Sequence, residues 1–244
     1  MKKEDVTPGT GRFYGIGVGP GDPELLTLRA ARLVGRVPVI FTPEARAGGG
    51  SRALKVVEHL LDSGRQEVVF LHFPMAREKD VMEPAWAGAA ERIGAVLQSG
   101  RDAAFLTIGD PLLYSTFGYI LDEMARRFSG LASEVVPGVT SVTAVAAAAG
   151  VSLARTDERV MILPAVYRPG EIEEALDRFE TVVFMKVNRV FDEVRDVIGR
   201  MGILDRAVLV TRCGTAGERI YRDLREVDGA DLDYLSTLIV TKSV

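Results

Sequence analysis

The segment YGIGVGPGDPELLT, residues 14–27, has four glycines within seven residues, from Gly15 to Gly21, directly before the pair Asp22-Pro23. The apolar residues around the first glycines are typical of a buried strand, and the apolar positions after the pair recur at helical spacing. The glycine turn thus follows the first predicted strand, at the end where open α/β sheets bind ligands. Backbone without side chains lets such a turn approach another group closely. Asp22 before Pro23 also fits a helix N-cap with proline at the first helical position.

Two nucleotide-binding fingerprints can be tested on this turn. The dinucleotide pattern needs a glycine five positions after its first, but that position is Pro20 counted from Gly15 and Asp22 counted from Gly17. The P-loop pattern needs Gly-Lys-Ser or Gly-Lys-Thr, and residues 4–54 contain no lysine. Both patterns fail, so the turn is not predicted to hold phosphate groups.

Short apolar segments alternate with helical patterns along the chain, which predicts an α/β fold with largely parallel sheets. About ten strands are too many for one sheet of an ordinary domain, so we expect two α/β domains, each around a mostly parallel or mixed five-stranded sheet. The predicted domains are residues 12–142 and 143–244, after a flexible tail at residues 1–11. The last two predicted strands, in ERIYRDL and LSTLIVTK, have no helix between them, which indicates an antiparallel edge or a mixed sheet.

Composition excludes several classes of protein. The formal net charge of the 244 residues is −4, which disfavours a general nucleic-acid binder. Cys213 is the only cysteine, and His59 and His72 are the only histidines, so neither a disulfide framework nor a cysteine or multi-histidine metal site is expected. No apolar run reaches the length of a membrane span, and MKKEDVTPGTGR lacks the apolar core of a signal peptide. We expect a cytoplasmic protein without a metal, a nucleic acid or a membrane as partner.

The Gly-Asp-Pro tripeptide of the first turn occurs again at residues 109–111, within LTIGDPLLYSTFGY. There too it ends a predicted strand and precedes a helix. A third turn, VPGVTS at residues 136–141, ends the fifth predicted strand. Because the carboxyl ends of parallel strands share one edge of a sheet, the three turns are predicted to line one crevice.

Five segments, GIGVGPGDPELLT, TIGDPLLYST, EVVPGVTS, VVFMKV and VTRCGT, occur in this order. Through these five segments the chain resembles the tetrapyrrole methyltransferases of corrin and sirohaem synthesis, and the resemblance covers essentially all of residues 13–243. GDPLLYSTFGY, FPMAREKD, ERVMILPA and FMKVNR are further similar to the branch that methylates carbon 20 of precorrin-2, with or without cobalt. One departure is the pair Arg155-Thr156, where relatives more often have Glu-Gly.

The resemblance implies two α/β domains in a homodimer, with S-adenosylmethionine in the cleft between the domains. Such a cofactor carries no phosphate, so backbone and apolar walls with a few polar groups suit it. For Asp110, N-capping is the alternative to holding the cofactor, and for Met185 it is filling the core. The cofactor-binding residues that the resemblance implies are Pro20, Ile108, Gly109, Asp110, Leu113, Thr140, Ser141, Met185 and Gly214.

A tetrapyrrole substrate carries many carboxylates, so a few convergent cations are expected despite the acidic chain. Ordinary surface charge is the alternative for each of them. Tyr114 is a candidate for the face of the macrocycle, and residues 76–80 for a flap over the cleft. The candidate cations at or near predicted strand ends are Arg46, Arg77, Lys79, Lys186, Arg189 and Arg212.

Methyl transfer from a sulfonium to an electron-rich carbon needs little proton transfer, so we expect positioning to dominate and identify no catalytic base. His72, at a strand end, is a better candidate for catalysis than His59. Three other activities stay open: a sibling enzyme for another macrocycle carbon, a ribosomal RNA ribose methyltransferase, and a non-catalytic nucleotide-binding or regulatory protein. The acidic pI of about 5.4 disfavours the RNA enzyme.

Overall fold

The computed structural model of the chain describes residues 7–44, 48–74, 78–164 and 168–242. The chain divides into two compact units, Met1–Thr140 and Ser141–Val244. Gly11 is buried, and its N–H donates to the carbonyl oxygen of Leu97 at 2.8 Å. The first unit therefore includes Gly11, which the sequence prediction assigns to the tail.

The first unit is built on a five-stranded parallel sheet in the order β3-β2-β4-β1-β5. All five residues of the central strand β4 are buried, as expected for a parallel sheet covered on both faces. The strands are β1 Phe13–Gly17, β2 Val39–Glu44, β3 Glu67–His72, β4 Ala103–Thr107 and β5 Ser133–Val136, and the helices are α1 Leu28–Val34, α2 Arg52–Val57, α3 Lys79–Gln98 and α4 Thr116–Arg127.

The second unit has a mixed five-stranded sheet in the order β6-β7-β10-β8-β9. Strand β6 pairs parallel with β7, whereas β10 pairs antiparallel with both β7 and β8, and β9 antiparallel with β8. The mixed sheet confirms the prediction from the missing helix. The elements are β6 Val160–Leu163, β7 Thr181–Met185, β8 Ala207–Thr211, β9 Arg219–Tyr221, β10 Ser236–Thr241, α5 Ser141–Ala149, α6 Glu171–Arg178 and α7 Phe191–Arg200.

Buried side chains pack on both faces of the first sheet. Phe13, Phe105 and Phe117 belong to the cluster beneath α3 and α4, while Ile16 and Leu106 belong to the cluster on the opposite face. Full burial of one large apolar side chain contributes about 1.5–3 kcal/mol. This packing fixes where β1 and β4 end, and hence where the turns that follow them lie.

The segments AWAGAAERIGAVLQSG and LLYSTFGYILDEMARRF predict helices that begin at Ala85 and Leu112, but both helices begin at other residues. Helix α3 begins at Lys79 and continues through Pro84, which has no N–H to donate to the Asp80 carbonyl one turn earlier. Helix α4 begins at Thr116 rather than Leu112, because Ser115 is its N-cap and accepts the Phe117 N–H at 3.1 Å. The residues from Leu112 to Ser115 instead form a turn, and this turn is part of the candidate functional site.

Thr156 lies in the connection between α5 and β6 and has a left-handed backbone, with φ of +50°. Glycine adopts positive φ freely. A β-branched residue is strained there by about 1–2 kcal/mol. We therefore expect Thr156→Gly to raise the free energy of unfolding by about 0.5–1 kcal/mol, after the extra chain entropy of glycine is subtracted. Thr156→Ala keeps a Cβ, so an equal gain from alanine in chemical denaturation would contradict this explanation.

Candidate functional site

The turns that follow β1 and β4 are joined at the carboxyl edge of the first sheet. Gly19 and Gly109 exchange backbone hydrogen bonds: the Gly109 N–H donates to the Gly19 oxygen at 2.7 Å, and the Gly19 N–H to the Gly109 oxygen at 3.4 Å. Both glycines have positive φ, 76° and 74°. The two turns therefore form one layer of backbone at this edge.

The turn after β5 packs against the same layer through glycine. A Cβ on Gly17 would lie 2.5 Å from the Gly109 carbonyl oxygen, and one on Gly138 would lie 2.1 Å from that oxygen and 2.9 Å from the Gly17 Cα. Real Cβ atoms essentially never approach backbone so closely. The lack of side chains in the opening segment thus allows three turns of the protein to touch each other.

Asp110 joins the second turn to the third. Its Oδ1 accepts the Leu112 N–H at 2.9 Å, which caps its own turn, and its Oδ2 accepts the Gly138 N–H at 3.0 Å. Asp110 therefore closes its own turn and does not cap α4, whose N-cap is Ser115, and it also makes a bond between turns that the sequence did not predict. Because each carboxylate oxygen has two acceptor sites, these bonds leave Asp110 able to accept further donors.

Asp22 is also a cap. Its Oδ1 accepts the Glu24 N–H at 2.8 Å, and Pro23 opens the short 3-10 turn Pro23–Leu25. The N-cap interpretation of this pair is confirmed, although the element is one 3-10 turn. Helix α1 begins later, where Thr27 Oγ1 accepts the Ala30 N–H at 3.1 Å.

Tyr114 lies at the end of the second turn with φ of +51°, and 47% of it is exposed. The residue after it is fixed, because the hydroxyls of Thr107 and Ser115 are 2.9 Å apart and Ser115 also caps α4. A non-glycine residue at positive φ costs about 1–3 kcal/mol and persists where the surroundings impose it. The fold thus presents the Tyr114 ring to solvent at the carboxyl edge.

The structure brings the predicted cofactor residues of the first unit to this one edge. Pro20 and Gly109 are buried there, whereas Ile108, Asp110, Leu113 and Thr140 are partly exposed. The other three belong to the second unit: Ser141 opens α5, Met185 ends β7, and Gly214 follows β8.

Two cations follow the parallel strands β7 and β8 directly, at the carboxyl edge of the second sheet. Lys186 and Arg212 both have left-handed backbones, with φ of 56° and 51°. The Arg212 Nε–H donates to Asp233 Oδ2 at 2.9 Å, and Lys186 Nζ lies 4.9 Å from the centroid of the Tyr234 ring. Sequence reasoning found both cations but missed Asp233 and Tyr234, whose only signal was the turn-like DLDY before the last strand.

The turn after β8 is held by Glu218, whose Oε2 accepts the Gly214 N–H at 2.8 Å. Cys213, beside it, is 7% exposed. Burial, together with a hydrogen bond to Glu218, raises the pKa of the Cys213 thiol to about 12. The thiol is therefore protonated at neutral pH and is a poor nucleophile.

The remaining candidates lie elsewhere or outside the described residues. Lys79 pairs with Glu83 at 3.8 Å on the exposed face of α3, and Arg189 is exposed. His59 and His72 are exposed as well. Arg46, Arg77 and part of the 76–80 segment are outside the described residues.

Two kinds of feature are absent from the described part of the chain. It contains no group of three or more His, Cys, Asp or Glu residues that could hold a metal ion. None of its helices has the length and apolar composition needed to cross a bilayer.

Comparison with known proteins fits this geometry. Residues 12–228 match the family model of tetrapyrrole (corrin/porphyrin) methylases. The chain is 34% identical to a cobalt-precorrin-2 C(20)-methyltransferase of Salmonella typhimurium, over 95% of this chain and 97% of that protein. It is 35% identical to a precorrin-2 C(20)-methyltransferase of a Sinorhizobium species, over 95% and 96%. Its fold matches the X-ray structure of a cobalt precorrin-4 methyltransferase with a TM-score of 0.72, at 22% identity and over 94% of each chain. The chain therefore belongs to the tetrapyrrole methylases.

Proposed function

We propose that this protein transfers a methyl group from S-adenosylmethionine to carbon 20 of precorrin-2, or of its cobalt complex, in cobalamin biosynthesis. As a member of its family it is a methyltransferase. The choice of substrate rests on two relatives that this chain matches over nearly their full length. Both are named for methylation of this carbon. A sibling activity at another macrocycle carbon is the alternative. The alternative of a ribosomal RNA ribose methyltransferase has no comparable support.

Tetrapyrrole methylases use S-adenosylmethionine, and the chemistry of the three turns fits this cofactor. Residues 18–22, 108–114 and 137–140 contain no lysine or arginine, as suits a ligand without phosphate. They do contain the carboxylates Asp22 and Asp110, which suit the positive sulfonium and ammonium groups. The proposed cofactor contacts are Pro20, Ile108, Gly109, Asp110, Leu113, Thr140, Ser141, Met185 and Gly214.

When bound, the cofactor supplies an electrophilic methyl group on a sulfonium. The chain's own contribution is then positioning, which can supply roughly 7–11 kcal/mol of such a barrier. Hydrogen bonds among the turns keep their backbone fixed before a ligand arrives, so little ordering remains to be done on binding. We identify no catalytic base.

The proposed substrate contacts are Tyr114 and three cations, Lys186, Arg46 and Arg77. Tyr114 offers a partly exposed ring at the carboxyl edge of the first sheet, which suits a flat macrocycle. We further propose a cytoplasmic homodimer that binds neither nucleic acid nor membrane.

The choice between cobalt-containing and metal-free substrate stays open. The Salmonella relative is named for the cobalt form and the Sinorhizobium relative for the metal-free form, and their identities to this chain are 34% and 35%. In this proposal the cobalt ion is part of the substrate.

The direct test incubates the purified protein with S-adenosylmethionine and precorrin-2, with and without inserted cobalt. Product mass and carbon NMR then give the number and position of added methyl groups. One methyl at carbon 20 is the expected result, and the faster substrate decides the metal question. A methyl at another carbon would overturn the choice of carbon and leave the family intact. No transfer to either substrate, with S-adenosylhomocysteine still bound in calorimetry, would overturn the proposed substrate.

A further inference from the structure

Four residues form a compact group at the carboxyl edge of the second sheet: Lys186, Arg212, Asp233 and Tyr234, here called the edge cluster. Lys186 directly follows β7, and Arg212 directly follows β8. These two strands run parallel on either side of β10, which begins at Ser236. The consecutive residues Asp233 and Tyr234 each contact one of the two cations.

The backbone of both cations is strained and held in place. Of the described residues other than glycine, only Tyr114, Thr156, Lys186 and Arg212 have positive φ. The Arg212 backbone N–H donates to the Leu235 carbonyl oxygen at 3.2 Å, and the Arg212 carbonyl oxygen accepts the Thr215 N–H at 3.1 Å. Lys186 stands between the last residue of β7 and a 3-10 turn at Val187–Arg189. Strain that the surroundings impose in this way is common at ligand sites.

The edge cluster carries more positive than negative charge. Asp233 is the carboxylate that pairs with Arg212, whose side chain is 53% exposed. Within the part of the chain that the structure describes, Lys186 has no carboxylate at ion-pair distance, and its neighbour is the Tyr234 ring. A ring attracts a cation without neutralising its charge. The ammonium therefore keeps its capacity to pair with an anion.

The spacing of the two cations favours a ligand with more than one anionic group. Strands β7 and β8 are separated by β10, and neighbouring strands lie about 4.8 Å apart, so the two backbone positions are roughly 10 Å apart. One carboxylate is much smaller than that span, whereas two carboxylates on the rim of a macrocycle match it. The Arg212 Nε–H is already engaged by Asp233, which orients the remaining guanidinium donors.

We propose that Lys186 and Arg212 bind two different carboxylates of one tetrapyrrole molecule, with Tyr234 and Asp233 as their positioning residues. This inference rests on the proposed function only for the identity of the substrate. Any flat ligand with several carboxylates would use the same two cations. S-adenosylmethionine, which has a single carboxylate, would not need both.

The test uses Lys186→Gln, Arg212→Gln and the double variant. Arg178→Gln, which removes an exposed charge from α6 in the same unit, is the matched control. Two affinities are measured: that of uroporphyrin III, a stable porphyrin with acetate and propionate chains, by fluorescence, and that of S-adenosylhomocysteine by calorimetry. The KM and kcat with precorrin-2 complete the set. Thermal unfolding checks that each variant is folded.

Each single variant is expected to weaken uroporphyrin binding and to raise the precorrin-2 KM about tenfold, and the double variant about a hundredfold if the two sites act independently. Affinity for S-adenosylhomocysteine is expected to stay within about twofold, and Lys186→Arg to restore most of the lost porphyrin affinity. Added salt is expected to weaken uroporphyrin binding by the wild type more than by the double variant.

Two results would overturn the inference: a double variant no weaker than Arg178→Gln, or an equal loss of porphyrin and S-adenosylhomocysteine affinity. Failure of the proposed function is separable from this. If the wild type does not methylate precorrin-2 but loses uroporphyrin affinity in these variants, the cations still bind a polycarboxylate and only the substrate assignment is wrong.

Discussion

Replacing Gly138 with alanine is expected to lower the free energy of unfolding by about 3 kcal/mol and to abolish most activity. The new Cβ would lie 2.1 Å from the Gly109 carbonyl oxygen and 2.8 Å from the Gly17 carbonyl carbon. Both are backbone atoms, so relief requires the turns themselves to separate, and overpacking of this kind costs about 1–3 kcal/mol or more. Chemical denaturation gives the stability change, and the rate of methyl transfer gives the effect on the site.

Gly118 is the matched control, because it lies in α4 and a Cβ there would meet no atom within 4 Å. Gly118→Ala is expected to be neutral or stabilising by up to about 1 kcal/mol, as for any open helical glycine. Gly17→Ala addresses the same contact from the other side and should resemble Gly138→Ala. Because the two share atoms, the double variant is expected to lose less than the sum of the single losses. A Gly138→Ala protein as stable as Gly118→Ala would refute the packing account.

The glycine turn shows which features of the site could be predicted from the sequence. The sequence excluded a phosphate loop, because the fingerprint positions hold Pro20 and Asp22, and it placed the turn at the end of a predicted strand. It could not show that Gly17 and Gly138 meet, because they are far apart in the chain and come together only when β1 and β5 pair. The sequence does not distinguish a glycine that is needed because another turn would clash with a Cβ from one that is needed because a ligand would.

Other differences have similar causes. Pairing in the second sheet was predictable because the segment before β10 lacks a helical pattern. The start of α4 was not, since Leu113 stands four residues before Phe117, at helical spacing, and only the Ser115 cap and the positive φ of Tyr114 end the turn. Asp233 and Tyr234 were missed because their roles depend on Arg212 and Lys186, which the fold brings to them from other strands.

Removing the Asp110 carboxylate is the second change with a large expected effect. Asp110→Ala loses both accepted backbone bonds and leaves the Gly138 N–H without that acceptor. A hydrogen bond to a charged group contributes about 1.5–3 kcal/mol, and partial exposure reduces this. We therefore expect a loss of about 2–3 kcal/mol in the free energy of unfolding. If the turns bind the cofactor as proposed, affinity for S-adenosylhomocysteine should fall about a hundredfold, equivalent to about 2.7 kcal/mol.

Asp110→Asn keeps the size of the side chain but removes its charge and one of its acceptor oxygens. The amide oxygen can keep one bond, but the amide nitrogen is a donor and would then face either the Leu112 or the Gly138 N–H. Asp110→Asn is therefore expected to be nearly as damaging as Asp110→Ala. Asp22→Asn is its control for stability, because the Asp22 carboxylate accepts one backbone N–H, from Glu24, and asparagine is an equally good N-cap. Wild-type stability and affinity in Asp110→Asn would mean that a single acceptor suffices and that the bond between the second and third turns does not hold the site together.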